Sequence, residues 1–417
     1  MVNGSINQTD ATLTGPSYQP YTLAVALAPK PSAILSVFAS TAIAISILRN
    51  HEKRRRTYHT FVCGALVGSA VVSAAAFWGT WALPPPPPLP SGKGNVTEDV
   101  STTSAGYYPP VASGTTATCS AQGFLVHMFG LASQIYLSAI IIHTCISMHF
   151  NFARDAMDGR HDRARFWKHA AVWAYPISSA AALVWKGMFN PFGAFCYISA
   201  YPLGCSEEEG GFPCERGTST DVARMFYLYL TAIPNLLLLL INTASFVTLC
   251  CIARRMEMKA EKFTGKRIVE EKVRKTRART ATFQTSLYLV IAGLSSVLLI
   301  FLGVHWQSRD GESNVREEFH IAIIAIIPLQ GLAVSAVYLY FVRRFLRTKK
   351  KLTARADALR ATVNYSLQPK KKTAGISAAE IKLNKEEFAV FDGTNPSSQW
   401  ADFMYDDTDE GSDEFGY

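Results

Sequence analysis

Apolar positions in this chain neither alternate with polar ones nor recur as short amphipathic stripes. They run in long continuous blocks divided by polar segments. Seven blocks stand out. The first is Ser32–Leu48, extendable back to Tyr21 if the Lys30-Pro31 step is tolerated near a surface. The others are Thr60–Leu83, Ala121–His149, Ala170–Trp185, Asp221–Ile252, Thr280–Val304 and Glu318–Phe341. A bilayer core of about 30 Å needs roughly 20 apolar helical residues, and most of these blocks supply that length. An outer-membrane barrel would show alternation instead. Seven such blocks are also too many to bury around one soluble core. The expected fold class is therefore an all-α membrane protein, a seven-transmembrane helix bundle. The fourth block is short and interrupted by Pro176, and the fifth is long enough to project beyond the membrane.

Charge adds an orientation. Charged residues make up 18% of the 417, below the roughly 25% usual for soluble chains, and they sit between the blocks. Lys and Arg number five in residues 49–58, five in 150–168 and eleven in 254–279. The alternate segments 1–31, 84–120, 186–221 and 305–318 hold one, one, two and two. Basic loops stay cytoplasmic, so the N-terminus is expected outside and the C-terminus inside. The glycosylation acceptor pattern occurs at Asn3, Asn7 and Asn95, all on the expected outer side. Cys119, Cys196, Cys205 and Cys214 also fall there, where disulfides persist. Four cysteines allow three pairings. No cleavable signal peptide is evident, since the first twenty residues are polar.

The expected organisation is an extracellular N-terminus (1–31), a seven-transmembrane domain (32–342), a basic amphipathic cytoplasmic helix and linker (343–373), and a disordered acidic tail (374–417). Residues 343–373 carry eleven Lys/Arg against one acid, which suits an anionic inner leaflet. Residues 401–417 carry seven Asp/Glu and no Lys or Arg. Five prolines from Pro84 to Pro88 read as a stiff spacer.

What the blocks lack narrows the function. Their interiors contain no Asp, Glu, Lys or Arg, whereas pumps and transporters place such groups near the midplane. No Lys in the seventh block offers a retinal Schiff base. Ser138 and His143, five residues apart, lie well off one helical face and make no catalytic pair. No charged ring or Gly-rich filter loop marks a channel. Neither enzymatic activity, nor a cofactor, nor a metal site, nor nucleic-acid binding is expected. The interior polar residues are His127, Gln134, His143, Asn235, Asn242 and Gln330. Gln134 should face the bundle interior, because a lone amide facing lipid is costly. Trp78, Trp81, His305 and Trp306 sit near outer ends. Interfacial anchoring explains each of them. With Gln134 they are also the positions that would line an outward-opening ligand pocket.

The seventh block contains Pro328-Leu329-Gln330-Gly331-Leu332-Ala333-Val334-Ser335, which resembles the Gln-Gly motif of secretin, adhesion and cyclic-AMP-receptor-like G-protein-coupled receptors. Cys119-Ser120-Ala121-Gln122-Gly123-Phe124 and Cys196-Tyr197-Ile198 resemble the cyclic-AMP-receptor-like patterns, with Tyr197 standing where that group has Trp. Pro234 in the fifth block also fits. The resemblance covers about residues 30–345 and implies a plasma-membrane receptor that passes an extracellular signal to a heterotrimeric G protein. It leaves the ligand unknown, and cyclic AMP is not implied. Gln330-Gly331 would be the activation motif. Basic residues at the cytoplasmic face, Arg163, Arg165, Arg274, Lys275 and Arg277, would meet the G protein, and anionic lipid would hold others. The alternatives are a seven-helix transporter or channel, and a receptor-like scaffold without G-protein coupling. The expected disulfide pairing is Cys119 with Cys196 and Cys205 with Cys214.

The topology is testable. Glycosidase treatment of the cell-expressed protein should increase its gel mobility through loss of sugars at Asn3, Asn7 or Asn95. An N-terminal tag reached by protease only from the cytoplasmic side refutes the orientation.

Overall fold

The computed structural model describes residues 23–85, 112–149, 162–201, 205, 214–260, 267–306, 317–344, 346–347 and 354. Seven long helices dominate these residues: α1 (Pro29–Arg49), α2 (Thr57–Trp78), α3 (Thr116–His149), α4 (Asp162–Trp185), α5 (Ile233–Ala260), α6 (Arg267–Trp306) and α7 (Ile321–Arg344). Helix Thr220–Tyr227 and a π turn, Leu228–Ala232, lead into α5. A 3-10 turn, Ile327–Leu329, interrupts α7. Six helices are long and apolar enough to cross a membrane, with α4 the exception. The chain is thus a multi-pass helical membrane protein. At about 1.5 Å per residue, the 24 residues of α4 have the length such a crossing needs. Lys168, His169, Pro176, Ser178 and Ser179 lower its apolarity. It also begins at Asp162, eight residues before the expected Ala170.

The bundle corrects the expectation of an all-helical chain in one place. Residues after α4 form a two-stranded antiparallel hairpin, β1 (Phe189–Phe192) and β2 (Phe195–Ile198). It lies at one end of the bundle, the hairpin end. The opposite end is basic. There α5 runs on to Ala260 and α6 starts at Arg267, so the segment 254–279 extends both helices as expected. The sequons Asn3, Asn7 and Asn95 lie outside the described residues, as does nearly all of the stretch 343–417 that was expected to be cytoplasmic.

Helices surrounded by lipid gain little by burying apolar surface, so close backbone approach and hydroxyl bonding must hold them. On α5, Leu236, Leu237, Leu240, Ile241 and Val247 stay exposed along one broad face, as a lipid-facing surface would. Small residues mark the places where helices approach most closely. A Cβ on Gly64 would meet the Tyr136 ring at 2.6 Å, and one on Gly68 would meet the Phe129 carbonyl at 3.0 Å. These two glycines let α2 lie directly on α3. Gly331 does the same for α7. A Cβ there would come within 2.3 Å of Ser40 Oγ, 2.6 Å of Ser36 Oγ and 3.0 Å of Ser69 Cβ. The resulting seam of α1, α2 and α7 is lined by buried serines 36, 40, 69 and 73.

Gly331→Val is expected to cost roughly 1–3 kcal/mol, as overpacking does elsewhere, and to lower the thermal midpoint of the detergent-solubilised protein. Ser40→Gly in the same background should recover part of the loss. An unchanged midpoint for Gly331→Val rules out this packing of α7.

Candidate ligand cavity

The hairpin forms a lid over the bundle, and local chemistry fixes it there. Gly187 closes α4 with φ 65° and Gly193 opens the two-residue hairpin loop with φ 66°. The first loop position of a II′ hairpin needs positive φ, which glycine adopts without a Cβ penalty. Phe189 lies against Gly123 of α3, where any Cβ would come within 2.7 Å of the ring. A disulfide joins Cys196 of β2 to Cys119 in the first turns of α3. The second bridge, Cys205–Cys214, closes a small ring in the same loop. Both pairings match the expectation. Beyond that ring, Arg216 donates to Ser120 Oγ at 3.0 Å and to the Thr116 carbonyl at 3.3 Å.

Gln122 joins three elements at once. Its Nε2 donates to the carbonyls of Ala75 (2.8 Å) and Gly79 (3.0 Å) at the end of α2. Its Oε1 accepts from the Cys196 backbone N–H at 2.8 Å. The side chain is fully buried. Both its N–H donors and one lone pair of its oxygen are spent on tying α2 and the lid to α3.

Beneath the lid lies a cavity of about 60 Å³, several times the roughly 10–15 Å³ one water needs. Its floor is polar. Gln134 Nε2 donates to Gln330 Oε1 at 3.3 Å, and Gln330 Nε2 donates to Ser133 Oγ at 3.2 Å. Ser133 in turn lies 3.0 Å from Ser69 Oγ and donates to the Ala65 carbonyl at 3.1 Å. Ser73 reaches both Ser36 Oγ and the Pro328 carbonyl at 3.0 Å. Gln330-Gly331 therefore sits where α1, α2, α3 and α7 converge. Apolar walls come from Val72, Val126, Leu131, Phe195, Leu299, Ile324 and Ile327.

Tyr197 of the lid also lines the cavity. Its hydroxyl lies 3.2 Å from His127 Nδ1 and 3.2 Å from Thr231 Oγ1. The other His127 nitrogen lies 3.0 Å from Ser179 Oγ. A line of hydrogen bonds thus runs from α4 through α3 and the lid to the π turn before α5. The phenol gives Tyr197 a hydroxyl that can both donate and accept, which the indole of a Trp cannot do.

The same turn shows why Pro234 matters. Proline has no N–H for the carbonyl four residues back, and that carbonyl, Leu230, accepts from Tyr175 of α4 at 3.0 Å. The next side chain, Asn235, lines the cavity. Its Nδ2 donates to the Thr231 carbonyl at 2.8 Å. Its Oδ1 is buried and has no hydrogen-bond partner among the described residues.

The structure brings Gln134 and Gln330 together in one wall. Of the expected aromatic positions, Trp78 and Trp81 are not part of it. Trp81 is 42% exposed, with Lys30 Nζ 3.4 Å from its ring centroid. Trp78 is half-buried and does not line the cavity. The side chains of His305 and Trp306 lie outside the described residues. Tyr197, Thr231 and Asn235 carry the cavity chemistry instead. Among the described residues no group of His, Cys, Asp and Glu is placed to hold a metal.

The basic end is closed by a second polar cluster. Tyr58 of α2 lies 3.2 Å from Tyr288 of α6, hydroxyl to hydroxyl, and Gln284 donates to Tyr58. His59 Nδ1 lies 3.3 Å from the Tyr338 hydroxyl of α7. Beyond this cluster Arg279 Nε meets Glu257 Oε1 at 2.5 Å, clasping α6 to α5. Lys275 is half-buried, and the side chains of Arg163, Arg165, Arg274 and Arg277 lie outside the described residues.

Comparison with protein-family models finds none that matches the chain, and no curated protein matches it either.

Gln122→Leu should lower the thermal midpoint under non-reducing conditions. The substitution strands the Gly79 carbonyl and the Cys196 N–H, at roughly 1–3 kcal/mol for each buried group left unpaired. A midpoint equal to the parent's would show that the disulfide alone holds the lid.

Proposed function

We propose that the chain is a seven-span G-protein-coupled receptor of the plasma membrane, with the lid and N-terminus outside and the basic end in the cytoplasm. The observation that carries this reading is the floor of the cavity. Gln330-Gly331, the pair that resembles a receptor activation motif, forms that floor and touches three other helices through its side chain or its missing one. A ligand seated above it bears directly on how α7 packs. The loop-charge asymmetry supports the orientation, and α4 supplies the seventh span despite its lower apolarity.

In this reading the described form is the resting one. The contacts Tyr58–Tyr288 and His59–Tyr338 hold α6 and α7 against α2 at the basic end. Activation separates these contacts and opens a cleft for a G-protein helix. The differential affinity of the ligand for the two arrangements sets how far the equilibrium moves. Exposed cations beside the cleft steer the partner and bind anionic lipid. A transporter would move its cargo through this cavity, yet no Asp, Glu, Lys or Arg lines it among the described residues.

The test is nucleotide exchange on a panel of G-protein α subunits with the purified protein. At least one subunit should be stimulated. Replacing Arg274, Lys275 and Arg277 together with Ala should preserve surface expression, because eight basic residues remain in segment 254–279. Exchange should fall and become more salt-sensitive. Singly, each such charge contributes too little to read. Undiminished exchange by the triple variant discards the contact surface, and no exchange on any subunit favours a scaffold.

A further inference from the structure

The cavity under the lid has a charge and a hydrogen-bonding character that select a ligand chemistry. Among the described residues its wall includes serine, threonine, asparagine, glutamine and one tyrosine, but no Asp, Glu, Lys, Arg or His. An ion brought into such a site leaves water without finding a counter-charge, at a cost of several kcal/mol even after relaxation. The wall is otherwise carbon, from residues such as Leu299, Ile324 and Ile327. These features favour a neutral molecule with an apolar body.

One group fixes the polar end. Asn235 is 1% exposed, lines the cavity, and has a committed donor. Nδ2 is held by the Thr231 carbonyl at 2.8 Å, while Oδ1 has no partner. A buried acceptor without a donor destabilises the protein that carries it. The nearby hydroxyl of Tyr197 lies on His127 and Thr231, and the amides of Gln134 and Gln330 bond to each other and to Ser133. Oδ1 remains an unmet acceptor among the described residues, one that an O–H or N–H brought in from outside the protein would satisfy.

We infer that the cavity binds an uncharged small molecule whose hydroxyl or amide N–H donates to Asn235 Oδ1 and whose apolar body lies along Leu299, Ile324 and Ile327. This deepens the receptor reading and rests on the cavity being its ligand site. A cyclic nucleotide is excluded as the occupant, since its phosphate would meet no cation there. At about 60 Å³ the cavity suits a probe of a few heavy atoms.

The experiment uses three probes with one carbon skeleton: 3-methylbutanol, 3-methylbutanoate and 3-methylbutylammonium. Thermal midpoints of the purified full chain are followed across a concentration series of each, without any G protein, so failure to couple leaves the result intact. The alcohol should raise the midpoint saturably, and the two ions should not. Asn235→Leu removes the unpartnered acceptor. Its own midpoint should equal or exceed the parent's, and its response to the alcohol should vanish. Asn235→Ala serves as the second variant and should lose the response in the same way. A rise with either ion overturns the neutral-ligand assignment. No rise with the alcohol leaves a cavity filled by water only and overturns it too. A response that survives both substitutions removes Asn235 from the site. Lowered midpoints in both variants make Asn235 a structural residue and overturn the proposal.

Discussion

Bilayer helices have no water to escape from, so burying apolar surface cannot drive them together. The rest of this structure depends on how that constraint is met, by close approach at small residues with hydroxyls between the backbones. Gly331 is the centre of the solution. The space its missing Cβ leaves is filled by Ser36, Ser40 and Ser69, and the adjacent Gln330 reaches across to Gln134 and Ser133. A side chain at Gly331 would push α7 away from α1 and α2. The floor of the cavity would then lose its geometry, although every cavity residue remained in the chain.

The same constraint explains the lid. A hairpin packed into the end of a bundle carries backbone groups that need partners, and β1 and β2 satisfy with each other only those that face across the pair. The Cys196 N–H is met by Gln122. The disulfide and this hydrogen bond act on one residue from two directions. Cys119 fixes where Cys196 sits along α3, and Gln122 fixes how the strand faces it. Tyr197 follows at once in sequence, so its place in the cavity wall is set by its neighbour's two tethers. Position is inherited along the chain from α3 to the lid to the site.

Much of the bundle could be read from hydropathy, because six of its helices are continuous apolar blocks. The start of α4 could not, because Lys168, His169 and Pro176 break the pattern while contacts elsewhere keep the helix. Its His169 lies 2.9 Å from the Tyr136 hydroxyl of α3. The hairpin had a local signal, Gly193-Ala194 between Phe192 and Phe195, but short strands are easily hidden inside a membrane pattern. Gln134 and Gln330 were identifiable singly, since an amide in an apolar block must face inward. Their meeting was not, with almost two hundred residues between them. Gln122 gave less away. Its three partners are backbone atoms of distant segments, and no residue type in the sequence announces them. The tryptophans at the rim carried two readings, and Trp81 lies with Lys30 at the surface.

Pro234 and Asn235 show how a local rule reaches function. The proline frees one carbonyl, and Tyr175 of the neighbouring helix takes it. The π turn before it widens α5 at the level of the cavity, and such turns recur at functional sites because they re-aim the side chains that follow. Asn235 is one of those side chains. Its amide donates to the turn's own Thr231 carbonyl, and its oxygen is left buried without a donor among the described residues. A sequence selected for stability alone would place an apolar residue here, as proteins gain stability readily where function does not forbid it. Keeping an acceptor without a donor makes this wall less stable than it could be. The deficit is restored only by something that arrives from outside, and on that ground the π turn, the proline and the lid belong to one device.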